Sequence, residues 1–119
     1  MNSESFRDYC LQKRSVTESF PFGEETLVFK VGNKIFALLA LDSYPSTANL
    51  KCDPDRAVTL RENFPLQIYP GYHMNKKHWN TLNITQLPEN LVRELIDHSY
   101  ELVVKGLPKK VQAFINAKE

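Results

Sequence analysis

Residues 26–41 read TLVFKVGNKIFALLAL, two apolar runs joined by Gly32-Asn33. In the first run the odd-numbered side chains are apolar, whereas Lys30 lies on the opposite face, as expected of a half-buried strand. Gly-Asn is a common two-residue hairpin connection because glycine adopts positive φ without strain. The second run, residues 34–41, is apolar on both faces, which is typical of an interior strand. This stretch therefore predicts an antiparallel hairpin whose second strand is central.

Within the second run, strict alternation predicts that Ile35 shares a face with Ala37 and Leu39. The same alternation predicts that Phe36 shares the opposite face with Leu38.

Outward from the hairpin, the chain continues as an α+β protein. Short turns between consecutive strands predict an antiparallel sheet of about five strands, with helices packed on one face as a two-layer sandwich. The predicted order is α-β-β-β-α-β-β-α-α, in a single domain covering residues 1–119. Residues 14–23 are interpreted as a connection. The predicted strands are 26–31, 34–41, 47–52, 66–69 and 78–84, and the helices begin near Ser3 (as the cap), Pro54, Pro88 and Pro108.

Composition limits the classes of protein to which this chain can belong. The formal net charge is only +1, so nucleic-acid binding through the overall field would be modest and sensitive to salt. The first residues lack the apolar region of a signal peptide, and no apolar run reaches the roughly 20 residues of a membrane span. Cys10 and Cys52 have no disulfide or metal-ligand spacing. We therefore expect a cytoplasmic monomer with no membrane association and with both thiols reduced and buried.

Residues 70–80 read PGYHMNKKHWN, and no acidic residue occurs between Asn63 and Glu89. Adjacent lysines, imidazoles and aromatic rings without acids are suited to an anion that carries flat rings. Lys51 lies on the outward face of its strand and is expected to extend this patch. The candidate nucleic-acid or anion-binding residues are Lys51, Tyr72, His73, Asn75, Lys76, Lys77, His78 and Trp79.

Each group in this segment has a predicted role and a structural alternative. Lys76 and Lys77 are predicted to contact phosphates. His73, His78 and Asn75 are predicted hydrogen-bond donors, and Tyr72 or Trp79 is a predicted stacking platform. Alternatively, Trp79 belongs to the core, and His73 and Asn75 satisfy the backbone of a tight loop. The pattern leaves both interpretations open.

Other kinds of site lack the residue spacing that they require. The histidines and cysteines show neither CxxC nor HxxxH, and His98 is expected to form a hydrogen bond from the long helix. Cys52 shares a face with Ala48 and Leu50, which favours a buried thiol over a nucleophile. Neither a nucleophile motif nor a glycine-rich phosphate loop is found. The expectation is a non-catalytic protein with no metal and no cofactor.

Several segments together resemble the MmcQ/YjbR proteins, over roughly residues 6–110. The resemblance implies a small bacterial protein with an α/β sandwich similar to bacterial frataxin (the CyaY fold). It also implies the DNA-binding label of the family, which derives from a "double wing" comparison, and it implies no catalytic residue. The segments are FPFG at 20–23, LVFKVG at 27–32, KIFAL at 34–38, LKCDP at 50–54, PGYHMNKKHWN at 70–80 and HSYELV at 98–103.

The sequence and the resemblance lead to one expected function and one alternative. The expectation is a cytoplasmic DNA-binding or nucleic-acid-associated module. The alternative is a domain that binds another protein or a small anionic ligand, which the near-neutral charge favours.

Overall fold

A computed structural model describes residues 1–71 and 74–117. Within them the chain forms a six-stranded antiparallel sheet and four helices, which confirms the α+β prediction with one strand more than expected. The helices are α1 (Ser3–Leu11), α2 (Pro54–Asn63), α3 (Glu89–Lys105) and α4 (Lys109–Ala117). The strands are β1 (Val16–Ser19), β2 (Thr26–Val31), β3 (Lys34–Ala40), β4 (Thr47–Lys51), β5 (Ile68–Pro70) and β6 (Trp79–Asn83).

The strands lie in the order β1-β2-β3-β4-β6-β5, and every neighbouring pair is antiparallel. The predicted meander of β2, β3 and β4 is confirmed, with β3 in the interior of the sheet. The turn between β2 and β3 has Gly32 at φ 57° and Asn33 at φ 67°, so both residues are left-handed, as a tight hairpin of this kind requires.

The additional strand β1 corrects the prediction that residues 14–23 form only a connection. Glu18 lies opposite the core residue Phe29 and so faces the helices. Its carboxylate accepts two hydrogen bonds from the Arg7 guanidinium of α1, at 2.7 and 2.6 Å. A strand is recognised by alternating apolar residues, and a charged residue on the helix-facing side interrupts that alternation. For this reason the sequence pattern did not predict β1.

A β-bulge corrects the predicted faces of β3. Phe29 pairs with Ala37, but the next residue, Lys30, pairs with Ile35, so Phe36 is the extra residue. Phe36 is therefore fully buried in the main core beside Ala37, and Ile35 packs with the residues on the other face. The alternation prediction was wrong here because it assumes a regular strand without an inserted residue.

The helix starts follow local capping chemistry. Asn2, rather than the predicted Ser3, caps α1, and its side chain accepts the N–H of Ser5 at 2.8 Å. The prediction for α2 is confirmed, because Asp53 accepts the N–H of Arg56 and Pro54 is the first helical residue. None of the helices in the described part of the chain is long and apolar enough to cross a membrane.

The described helices all contribute to one side of the sheet. The main core between the layers includes Phe6 and Cys10 of α1, Leu60 of α2, and Ile96 of α3. The opposite side of the sheet has no helix packed on it in the described residues, and it carries a small second cluster. That cluster contains Val28, Leu38 and Trp79, with Ile35 and Met74 packed against it. We call this helix-free side the open face.

Candidate anion-binding face

Pairing register defines which strand side chains belong to the open face, because directly opposite residues share a side. Starting from Val28 and Leu38, the paired positions alternate along every strand. The strand positions so assigned contain no aspartate or glutamate. They are Thr17, Ser19, Thr26, Val28, Lys30, Ile35, Leu38, Ala40, Thr47, Asn49, Lys51, Tyr69, Trp79, Thr81 and Asn83.

The cations of the open face are concentrated toward one end of the sheet. Lys51 lies directly opposite Trp79, and Lys30 lies opposite Ile35. The loop that carries Lys76 and Lys77 leads into β6 at the same end, where the Cys52 N–H donates to the His78 carbonyl at 2.7 Å. We call Lys30, Lys51, Lys76 and Lys77 the lysine end of the open face.

The acids nearest to this face lie elsewhere. Glu24, Glu25 and Asp42 occupy the loops at the opposite end of the sheet. Asp53 follows β4 closely, but its carboxylate turns back to cap α2. The lysine end therefore gathers four lysines in a protein whose total formal charge is only +1.

The loop before β6 takes its shape from Asn75. Its side-chain oxygen accepts the N–H of Lys77 at 3.0 Å, and its carbonyl accepts the N–H groups of His78 and Trp79 at 3.1 and 3.0 Å. This turn leaves Lys76 and Lys77 exposed and His78 half-buried. Asn75 thus positions the two lysines by supporting the loop backbone, which is the role that the structural alternative gave it.

The aromatic candidates are placed differently from the lysines. Trp79 is only 8% exposed and packs with Val28 and Leu38 on the open face. Its ring therefore has little surface left for stacking with a ligand. The other two predicted site residues, Tyr72 and His73, lie outside the described residues.

A cleft of about 540 Å³ lies on the open face, and it extends from the middle of the sheet toward the end opposite the lysine end. Its floor is formed by β3 and β4, through Leu38, Ala40, Thr47 and Asn49. Further lining comes from three separate segments, through Phe22, Tyr69 and Met74, and from Thr26 and Thr81 on the neighbouring strands. Pockets that bind small ligands commonly have volumes of about 300–1,000 Å³.

Sequence reasoning missed Lys30 and the cleft residues, although part of the signal was present. The alternation of β2 places Lys30 on the face away from the helices, and that of β4 places Asn49 beside Lys51. These patterns indicate a shared face only once the strand order is known. The contribution of Phe22 and Met74 depends on loop conformations that strand patterns do not specify.

Three titratable groups outside this face are held within the fold. Burial raises the pKa of the Cys10 thiol to about 12 and also raises the pKa of Cys52, which opposes thiolate formation near neutral pH. His98 accepts the Asp53 N–H through Nε2 at 3.1 Å. Among residues 1–71 and 74–117, no group of three or more His, Cys, Asp or Glu side chains is arranged to hold a metal ion.

A second charged and aromatic cluster lies between α1 and α3, on the helical side. The Tyr9 hydroxyl donates to Asp97 at 2.8 Å, and the Lys13 ammonium also pairs with Asp97. Lys13 lies 5.2 Å from the ring centroids of both Tyr9 and Tyr100. The charges of this cluster pair with one another and tie α1 to α3, so it is a contact between helices.

Comparison with known proteins places the chain in one family. A family model described as YjbR matches residues 11–102. The chain is 41% identical over 110 residues to Escherichia coli O157:H7 YbdF, covering 92% of this chain and 89% of that protein. It is 28% identical to YjbR of Escherichia coli K12, covering 92% and 93% of the two chains.

Solved structures of similar proteins agree with this assignment. The crystal structure of protein DR2400 from Deinococcus radiodurans, a DUF419 domain, superposes with a TM-score of 0.89 at 39% identity, covering 97% of this chain and 88% of that one. A Pseudomonas syringae protein superposes with a TM-score of 0.74 at 30% identity, covering 86% and 98%. Sequence and structure together show that this chain belongs to the YjbR family.

Proposed function

We propose that the protein binds nucleic acid, DNA in the first instance, through the lysine end of its open face. The observation that carries the proposal is a sheet face whose described strand positions hold no acid, with Lys30, Lys51 and two loop lysines at one end. Phosphate groups are the partners that such lysines fit, because they are anionic and repeat along the ligand.

The two sides of the sheet differ in how their charged side chains are paired, and the difference favours nucleic-acid binding on the open face. On the helical side, acids and bases pair with one another, as in Arg7–Glu18, Arg56–Glu94 and Arg93–Glu89. On the open face, the strand lysines share their surface with apolar and hydroxyl side chains. A strand of nucleic acid would therefore meet cations on one side of the molecule and mixed charge on the other.

The proposed role is binding without catalysis, by a cytoplasmic monomer with no cofactor. The raised pKa of both thiols supports the absence of a cysteine nucleophile. The frataxin-like and double-wing comparisons stay predictions. The alternative, a small anionic ligand or a protein partner, is supported by the cleft on the open face.

The test is a salt titration with labelled single- and double-stranded DNA. Replacing both Lys76 and Lys77 by alanine is expected to weaken binding and to lower the slope of log K against log salt by about two. The matched control is Lys109→Ala/Lys110→Ala, which also removes two adjacent exposed lysines. These lie at the start of α4, on the helical side of the sheet, where Leu107 and Ile115 join the main core.

The two variants change the net charge equally but are expected to differ in the salt dependence of binding. The control is expected to keep the wild-type slope, and both variants are expected to keep the wild-type melting temperature, because exposed lysines contribute little to stability. Equal losses in both variants would indicate a non-specific charge effect. Unchanged affinity and slope in a folded Lys76/Lys77 variant would reject this face as the binding site.

A further inference from the structure

The cleft on the open face has features that phosphate contacts do not require. Its volume is about 540 Å³, one margin at Asn49 is two residues from Lys51, and its lining is mostly apolar, with a few amide and hydroxyl groups. We infer that this cleft holds one unstacked base of a single-stranded nucleic acid whose phosphates contact the lysines. This inference rests on the proposed function and adds the form of nucleic acid that is bound.

The lining of the cleft suits a planar ring. Leu38 and Ala40 contribute apolar side chains from β3, and the lining also includes the phenol of Tyr69 and the ring of Phe22. Phe22 is 65% exposed, so its ring is accessible to a ligand. Aromatic rings and the thioether of Met74 pack favourably against the face of a base, and such contacts tolerate any base.

The polar groups of the cleft can pair with the edge of a base. The Asn49 side-chain oxygen accepts from the Thr81 hydroxyl at 2.8 Å, which fixes the orientation of the Asn49 amide on the floor. The NH₂ of that amide is a donor, and the Thr26 and Thr47 hydroxyls can donate or accept. A few oriented polar groups in an apolar cleft select a flat polar ring over an aliphatic chain.

The distance between the Asn49 margin of the cleft and Lys51 fits a single nucleotide. Asn49 and Lys51 are two residues apart on β4 and point to the same face, so their Cα atoms are about 6.6 Å apart. A phosphate at Lys51 and a base over Asn49 can therefore belong to the same nucleotide. A base can reach the cleft only when it leaves its stack, and a duplex opposes this, so single strands are expected to bind more tightly.

Base insertion is tested by comparing two ligands of equal charge. One is a labelled oligothymidylate of about 12 nucleotides, and the other is an abasic strand of the same length. Wild-type protein is expected to bind the oligothymidylate about tenfold more tightly, the size of effect associated with one stacked base. Ala40→Phe, which fills the floor of the cleft, is expected to remove this difference while leaving affinity for the abasic strand unchanged.

The control for cleft filling is Ser19→Phe, which adds the same ring at an exposed open-face position on the edge strand β1, outside the cleft lining. It is expected to keep the wild-type preference. Equal wild-type affinity for both strands, with loss of both in the Lys76/Lys77 variant, would overturn base insertion and leave the proposed function standing. Absence of binding to either strand at low salt would overturn both.

Photo-crosslinking tests the same inference without any substitution, in case Ala40→Phe does not fold. Oligothymidylate that carries 5-iodouracil is expected to crosslink to wild-type protein at Phe22, Tyr69 or Met74, the aromatic and thioether groups of the cleft. Crosslinks confined to residues outside the cleft, such as the fully exposed Tyr44, would overturn the inference.

Discussion

Ser99 is a polar residue in the buried stripe of α3, and its hydroxyl bridges two backbone groups of β3 and β4 that do not pair with each other. The side chain is fully buried, donates to the Phe36 carbonyl at 2.5 Å, and accepts the Lys51 N–H at 2.9 Å. Regular pairing between β3 and β4 ends at Ala37 and Leu50, next to the bulge. One helix hydroxyl therefore satisfies two backbone groups that the bulge separates.

Replacing Ser99 by alanine is expected to lower the free energy of unfolding by about 1–3 kcal/mol, because it leaves the buried Phe36 carbonyl and the half-buried Lys51 N–H without this partner. Urea denaturation measures the change. The control is Ser19→Ala at an exposed position, for which we expect a change within about 0.5 kcal/mol. A Ser99→Ala protein as stable as the control would show that water or a shifted backbone replaces the hydroxyl.

His98 makes stability depend on pH through a single acceptor atom. Burial, followed by the nearby Arg56 cation, lowers its pKa below the ordinary value of about 6.5. Asp53, Glu101 and Glu94 act in the opposite direction. The unfolded chain therefore binds a proton at a higher pH than the folded chain, and stability is lost as the pH falls below about 6.5 toward the folded pKa.

The test is the melting temperature between about pH 5 and 8. His98→Gln, whose amide oxygen can still accept the Asp53 N–H, is expected to flatten the pH dependence in the window just below about pH 6.5. If His98→Gln and wild type lose stability in parallel, the titration of another group is responsible.

At the scale of elements, the connection from β5 to β6 requires a glycine where it passes the open face. A Cβ on Gly71 would lie 2.8 Å from Asn49 Oδ1 and 3.1 Å from Trp79 Cβ. The Gly71 N–H also donates to the Trp79 carbonyl at 2.9 Å, so the backbone is held against this site. A side chain here must displace either the amide in the cleft or the strand that carries Trp79.

Gly71→Ala is therefore expected to cost about 1–3 kcal/mol of stability, as overpacking of a close contact does. Gly106→Ala is a matched control, because Gly106 lies at the end of α3 with φ −83° and the nearest atom to its added Cβ is 3.5 Å away. The control is expected to be neutral or slightly stabilising. Similar urea midpoints for the two variants would contradict the close packing at Gly71.

At the scale of the molecule, one sheet supports two apolar clusters. The main core lies under the helices, and the smaller cluster of Val28, Leu38 and Trp79 lies on the open face. Both use β2 and β3, so neither can form without these strands. We therefore expect the described elements to unfold as one cooperative unit, in line with the single domain predicted from the sequence.

Two probes on opposite sides of the sheet can test this cooperativity. Trp79 is the only tryptophan, so its fluorescence reports on the open face, whereas far-UV circular dichroism is dominated by the helices on the other side. The two urea transitions are expected to coincide. A fluorescence transition at lower urea than the loss of ellipticity would show that the open face opens independently of the core.

The sequence alone determined the features that depend on neighbouring residues. Side-chain alternation and helix capping involve only a few neighbouring residues. They were enough to predict the β2–β3 hairpin, the interior position of β3, the capped start of α2 and the buried face of β4. For the candidate site, the sequence pattern identified the exposed loop residues Lys76 and Lys77 and the outward direction of Lys51.

Only the tertiary structure decided the features that join distant parts of the chain. Three features depend on contacts between segments far apart in sequence. They are the Arg7–Glu18 pair that accompanies β1, the bulge at Phe36 that Ser99 bridges, and the cleft. Strand order brings Lys30 to the same face as Lys51, and loop conformation adds the cleft walls. A one-dimensional pattern records which way a side chain points from its own strand, but not which segment lies beside it.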